Sequence, residues 1–260
     1  MPFRILIIVF LLICISENSY AQQWQKVDRE KKELNSKYNL ARKMQQYGQI
    51  KQAMNIYQYL LQKRPKEYKY YTQYIRLLFS TENYEKAAIV INTFIKNNPE
   101  NMDAAIDLGQ LYFMLGDSTR AYKHWDKSLE QFKSSRNYYR KLFYGMLENK
   151  IYDRAEQTIF AARKQYNDKN LFCYELANFY LMQGRYIVSA EEYLAYAHTN
   201  SRNYQFIARQ ILRFPDEEQV YFHLDSLFQK EARIVGKVPG LWQLHGDIAF
   251  KYKKYDKAKE

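Results

Sequence analysis

Apolar residues along this chain come in short bouts with a helical period. Ala53, Ile56, Tyr57 and Leu60 fall at i, i+3, i+4 and i+7, and Leu108, Leu111, Tyr112 and Leu115 repeat the same face. Each bout is closed by a helix stop: Gly48, Gly116 and Gly184 follow one set, and Pro65 and Pro99 follow the other. The pattern predicts a unit of helix, short turn, helix, turn. One stretch departs from it. Ile5 to Ile15 is an uninterrupted apolar run, behind Arg4 and ahead of the small-residue stretch Ser19-Tyr20-Ala21.

That first segment reads as a secretory signal peptide over residues 1–21, cleaved after Ala21. Eleven apolar residues make a helix of roughly 16 Å, about half the hydrocarbon thickness of a bilayer, so a spanning anchor is the weaker reading. Cys14 follows Ile13, where a lipoprotein signal needs a small side chain, which argues against a lipid anchor. No later run reaches eighteen apolar residues, so no membrane span is expected after signal cleavage. The expected location is outside the cytoplasm, in the periplasm or at the cell surface. Cleavage leaves Cys173 as the remaining cysteine, in the apolar context LFCYELANFY, where it reads as a small buried side chain.

The helical bouts are periodic on a larger scale. Ala53, Ala87, Ala121 and Ala155 lie at intervals of 34, as do Pro65 and Pro99, and the three glycines are spaced at twice that period. Leu108-Gly109, Tyr112, Gly116, Ala121 and Trp125, and later Trp242, Gly246, Tyr255 and Ala258, resemble the tetratricopeptide repeat family. The resemblance implies an all-α fold, a right-handed α-solenoid of antiparallel helix pairs. In this register a lead-in at 22–33 precedes five repeats over 34–203. A degenerate repeat covers 204–238, where His223 and Leu224 replace the alanine and Pro215 intervenes. An incomplete one covers 239–260. Ala41, Gly109 and Ala177 match on first helices; with the alanine series they are expected to let paired helices approach, while Tyr57, Ile91, Trp125 and Tyr193 fill the space beside them.

Composition excludes several classes. The chain of 260 residues is 47% hydrophobic and 26% charged, which does not suit disorder, and 8 Gly and 5 Pro are few for a turn-rich sheet fold. The four histidines show no HExxH spacing, and GxSxG, GxxxxGK[ST] and GxGxxG are missing. No catalytic residue, metal site or cofactor is expected, and the chain does not read as an enzyme. Glu191-Glu192 reads as a solvated edge, and Asp216 to Glu218 as a helix N-terminus. Net charge is +12 and the basic residues are scattered, as on solvated helix faces; with a secretory signal, nucleic acid is not an expected partner. The 26 tyrosines, in clusters such as EYKYYTQY and RNYYRKLFY, exceed what helix pairing needs and suit a recognition surface.

In the tetratricopeptide family the first helices line a groove that takes peptides or extended segments. Carried over by register, the groove candidates are Tyr38, Arg42 and Gln45, then Thr72, Arg76 and Phe79, then Ile106, Gln110 and Phe113, then Arg140, Tyr144 and Leu147, and finally Tyr174, Asn178 and Leu181. Arg42 and Arg76 would align as a basic patch beside an apolar strip, suiting a partner with acidic and apolar side chains. Tyr38 and Arg42 stand where some relatives place the Lys and Asn of a carboxylate clamp, so that mode of binding is not implied. The expectation is a non-catalytic protein–protein interaction scaffold of the cell envelope, with a protein or peptide partner and an oligomeric state left open. The stop at Glu260, just past Ala258, motivates an alternative, the sensory or docking part of a larger envelope signalling or secretion protein. The net charge motivates another, a binder of anionic polysaccharide or lipid.

Overall fold

The computed structural model describes residues 26–200, 202–236 and 238–258; the signal peptide expected over 1–21 lies outside them. All regular structure among the described residues is helical. The helices are α1 (26–46), α2 (Ile50–Lys63), α3 (Tyr68–Ser80), α4 (Tyr84–Asn97), α5 (Met102–Met114), α6 (Ser118–Gln131), α7 (Arg136–Glu148), α8 (Tyr152–Tyr166), α9 (Cys173–Met182), α10 (Tyr186–His198), α11 (Asn203–Ile211), α12 (Glu218–Val235), α13 (Pro239–Lys251) and α14 (Tyr255–Ala258). Within the units helices pack on their sequence neighbours: α2 on α3, α3 on α4 and α4 on α5 in one, and α7 on α8, α9 on α10 and α10 on α11 in the other. The chain forms two compact units, residues 1–128 and 129–260. The 33/34 boundary expected from the register falls inside the continuous helix α1.

The turn within each of the first five pairs has a conformational cause. Residues 48, 82, 116, 150 and 184 all take a left-handed backbone, with φ of +74°, +55°, +82°, +59° and +71°. Just beyond each, an amide closes on a carbonyl five residues back: Gln49 on Met44, Asn83 on Leu78, Asp117 on Tyr112, Ile151 on Met146 and Arg185 on Tyr180, all at 2.8–3.0 Å. This is the Schellman closure, which satisfies the last carbonyls of the first helix and reverses the chain. Glycine marks it in three units; Glu82 and Lys150 adopt it without glycine's freedom, at a steric cost of about 1–2 kcal/mol each.

Packing inside the pairs follows paired volumes. Ala53, Ala87, Ala121 and Ala155 are fully buried, and the series continues as buried Ser189, whose hydroxyl donates to the Ala177 carbonyl at 2.8 Å. Opposite sizes face each other across the pair. A Cβ built on Gly109 would sit 2.1 Å from the Trp125 indole nitrogen, so only glycine admits that ring. The indole N–H donates to the Ile106 carbonyl at 3.2 Å. Ala41 and Ala177 accompany buried Tyr57 and Tyr193, whereas Ile75 and Phe143 accompany the smaller Ile91 and Ile159.

Two sequence readings change and a third gains detail. Tyr70, Tyr71, Tyr74, Tyr138 and Tyr139 are buried, so the tyrosine clusters are mostly core. Glu192 is not solvated: it forms a bidentate pair with Arg163 at 2.9 and 2.5 Å, tying α10 to α8. The 204–238 segment is a lopsided helix pair, nine residues in α11 and eighteen in α12. Pro215 sits in the turn, its carbonyl accepting the Tyr252 hydroxyl at 2.6 Å, and Asp216 pairs with Lys251 at 2.9 Å.

Candidate functional site

In the first unit, two of the candidates touch Tyr57 and two more act on its hydroxyl through their charge. Tyr57 is a fully buried ring on α2 whose O–H donates to Gln45 Oε1 at 3.3 Å. Tyr38 on α1 packs against it, ring centroids 6.0 Å apart at 61°, and against Tyr70 at 5.7 Å. Burial pushes the Tyr57 hydroxyl up to about 12; Tyr38 adds to the rise, while the Arg42 and Arg76 guanidinium groups both pull against it. Two first helices thus bring a cation each to the same small region. Both arginines are exposed, and neither forms an ion pair among the described residues.

The other first-unit candidates divide. Thr72 spends its hydroxyl on its own helix, donating to the Tyr68 carbonyl at 2.8 Å. Phe79 is half-buried against the core, Gln110 is half-buried, and Phe113 lies 6.4 Å from both Tyr122 and Trp125. Ile106 is only 6% exposed and its carbonyl accepts the Trp125 indole N–H, so its side chain belongs to the core.

In the second unit, Tyr144 is 46% exposed and packs edge-on against Phe143 at 5.2 Å. Burial raises its hydroxyl, Glu175 and Tyr174 raise it further, and Arg140 opposes them, so these four groups share one neighbourhood. Arg140 donates to Asn137 Oδ1 at 3.2 Å and remains exposed. Leu147 and Leu181 are half-buried. Asn178 is engaged at both ends of its amide: an N–H donates to the Tyr174 carbonyl at 2.7 Å and its oxygen accepts the Tyr193 hydroxyl at 2.9 Å. It caps a carbonyl of its own helix and holds the Tyr193 hydroxyl.

Asp225 and Cys173 are governed by local contacts. Asp225 is buried; burial alone would raise its carboxyl, but hydrogen bonds from Lys257 and His245 at 2.8 and 2.7 Å outweigh this and lower it. Burial, then Glu192, pushes the Cys173 thiol up to about 11, which makes it a poor nucleophile at neutral pH. Among the described residues, no group of three or more His, Cys, Asp or Glu is placed to hold a metal ion, and no helix is long and apolar enough to cross a membrane. A feature outside the register candidates is an apolar cavity of about 360 Å³ between α2 and α4, on the second helices of the first unit.

No protein-family model matches the chain, and no curated protein matches it. Solved structures similar to it include a tetratricopeptide repeat protein from Parabacteroides merdae ATCC 43184, at 14% identity and TM-score 0.40, covering 86% of this chain and 89% of that one. PilF of Pseudomonas aeruginosa is similar at 13% identity and TM-score 0.41, covering 87% and 97%. PilW, a type IV pilus biogenesis factor, is similar at 12% identity and TM-score 0.41, covering 87% and 96%. Values this low describe helix-pair resemblance and bear on no site or partner.

Proposed function

We propose that this chain is a non-catalytic protein–protein interaction scaffold of the cell envelope, exported to the periplasm or cell surface. It takes a partner segment with acidic and apolar side chains on its first-helix faces. The observation that carries the reading is the pair of exposed guanidinium groups, Arg42 and Arg76, on successive first helices, both within electrostatic reach of the Tyr57 hydroxyl and without ion-pair partners among the described residues. Unpaired arginines with planar donor forks recognise carboxylates better than lysines do. Tyr144, with Arg140 beside it, offers the second unit's exposed aromatic contact, broad in area and low in rotamer entropy. The envelope assignment is supported by the charged, apolar and small-residue order of residues 1–21.

The test is affinity capture from envelope extract with tagged protein, comparing the natural chain with an Arg42→Glu, Arg76→Glu variant. A protein retained at high salt by the natural chain and lost with the variant, with unchanged thermal unfolding, is the expected result. Equal retention by both sinks the proposal. Heterogeneous anionic material that washes away with salt points instead to charge-driven binding of polysaccharide or lipid.

A further inference from the structure

The cavity between α2 and α4 belongs to the second helices and shares no residue with the arginine face. Leu61 and Pro65 form one wall, Ile89 and Val90 the other, and the Phe94 ring lines it as well. Lys86 stands on its rim as the one charged group in the lining. Its ammonium donates to Gln58 at 2.8 Å and lies 5.7 Å from the Tyr74 ring centre, and it forms no ion pair among the described residues. A volume of about 360 Å³ is within the range of ligand pockets and admits a large side chain with its neighbour.

The repeat register shows that this surface is a departure from the array's own rule. One position on the second helix reads Asn55, Ile89, Lys123, Gln157 and Glu191 through the five units. All five are exposed, and four are polar. Ile89 is 68% exposed, so nothing within the fold accounts for an isoleucine there. In the next unit the same wall carries Lys123 and His124 in place of Ile89 and Val90. Ile89 is not a lone exposed apolar residue: it extends the Leu61, Pro65, Val90 and Phe94 lining into one contiguous apolar surface, the kind that marks a contact site.

We infer that this cavity is a second docking site, for a protein segment that inserts a large apolar side chain and sets a carboxylate on Lys86. The occupant's chemistry follows from the lining: apolar walls take the anchor, and a single cation, in a lining that holds no acid, selects an anion at the rim. The scaffold therefore engages partners on two faces, and the second does not depend on the first.

The test is a methyl NMR titration of the full chain with N-acetyl-Phe-Glu-amide and its neutral twin N-acetyl-Phe-Gln-amide. Both shift the methyl signals of Leu61, Ile89 and Val90, and the glutamate peptide binds about two- to fivefold tighter, the value of one partly exposed ion pair. Lys86→Gln brings that ratio to one; Ile89→Glu, an exposed change that spares the core, abolishes both titrations. The Arg42→Glu, Arg76→Glu variant keeps the full ratio, which separates this site from the first-helix face. Equal affinity of the two peptides for the natural chain overturns the inference, as does binding that survives Ile89→Glu or a ratio that collapses in the arginine variant. Shifts at Ile89 that grow with protein concentration and no peptide would make the occupant a second copy, and would likewise overturn it.

Discussion

The repeats at 34–67 and 170–203 carry the same frame four periods apart. Tyr38, Ala41 and Tyr57 in the first correspond to Tyr174, Ala177 and Tyr193 in the second. The ring pairs match closely, with centroids 6.0 Å and 6.3 Å apart, and burial holds both inner tyrosines up at about 12. What differs is the variable position on the first helix. Arg42, aligned with Arg76 one unit on, leaves two cations facing out; Asn178 in the same register accepts the Tyr193 hydroxyl and donates to the Tyr174 carbonyl. The lesson is a separation of roles. The tyrosine–alanine frame sets packing, and the residues laid on it decide whether a face is armed for binding or closed on itself.

The comparison can be broken at several strengths. Tyr57→Ala and Tyr193→Ala remove equivalent buried rings and are each expected to cost about 3–5 kcal/mol in urea unfolding. A large loss at one and not the other would show that the frames are not equivalent. Asn178→Ala is expected to cost about 1–3 kcal/mol, because it strips the acceptor from a tyrosine hydroxyl. Gln45→Ala, which removes only a 3.3 Å bond, is expected to cost less than about 1 kcal/mol by the same measurement.

Alkaline titration sharpens the electrostatic side. Tyrosine ionises near 10 in the unfolded chain, and both inner tyrosines are raised to about 12 in the fold. The fold therefore binds more protons between those values. Stability from this source is complete below about pH 10 and is lost as pH rises through about 12. Replacing Arg42 and Arg76 with alanine is expected to move the Tyr57 titration still higher and leave Tyr193 unmoved, as read from labelled tyrosine ring carbons. The smallest effect tests the frame's turns: Glu82→Gly and Lys150→Gly are each expected to add about 0.5 kcal/mol, since glycine carries the left-handed backbone without a Cβ clash. Lower stability in either would mean that its side chain does more than the turn requires.

The period, the helix pairs and the buried alanines were legible because a helix face repeats its chemistry every 34 residues. The turns were legible only at Gly48, Gly116 and Gly184; Glu82 and Lys150 make the same turn with no residue that announces it. Register alone nominated Thr72, Ile106 and Asn178 together with Arg42 and Arg76, because it reports which side of a helix a residue occupies. It is blind to whether a hydroxyl or amide is already spent nearby, and to a ring such as Trp125 closing over a neighbour. Ile89 was within reach of the sequence: reading one register column down the five units isolates it at once.

The paired volumes described above have a consequence for how this array can change over generations. Gly109 admits Trp125 at a distance that no Cβ tolerates, while its counterparts Ile75 and Phe143 are buried beside smaller partners. Splicing α3 in place of α5 would drive an isoleucine into an indole; the reverse splice would leave a void. Each pair thus carries its own key, and recombination that cuts between the two helices of a pair yields chains that fold poorly. Lineages of this protein are expected to gain or lose helices two at a time, with breakpoints confined to the turns between pairs.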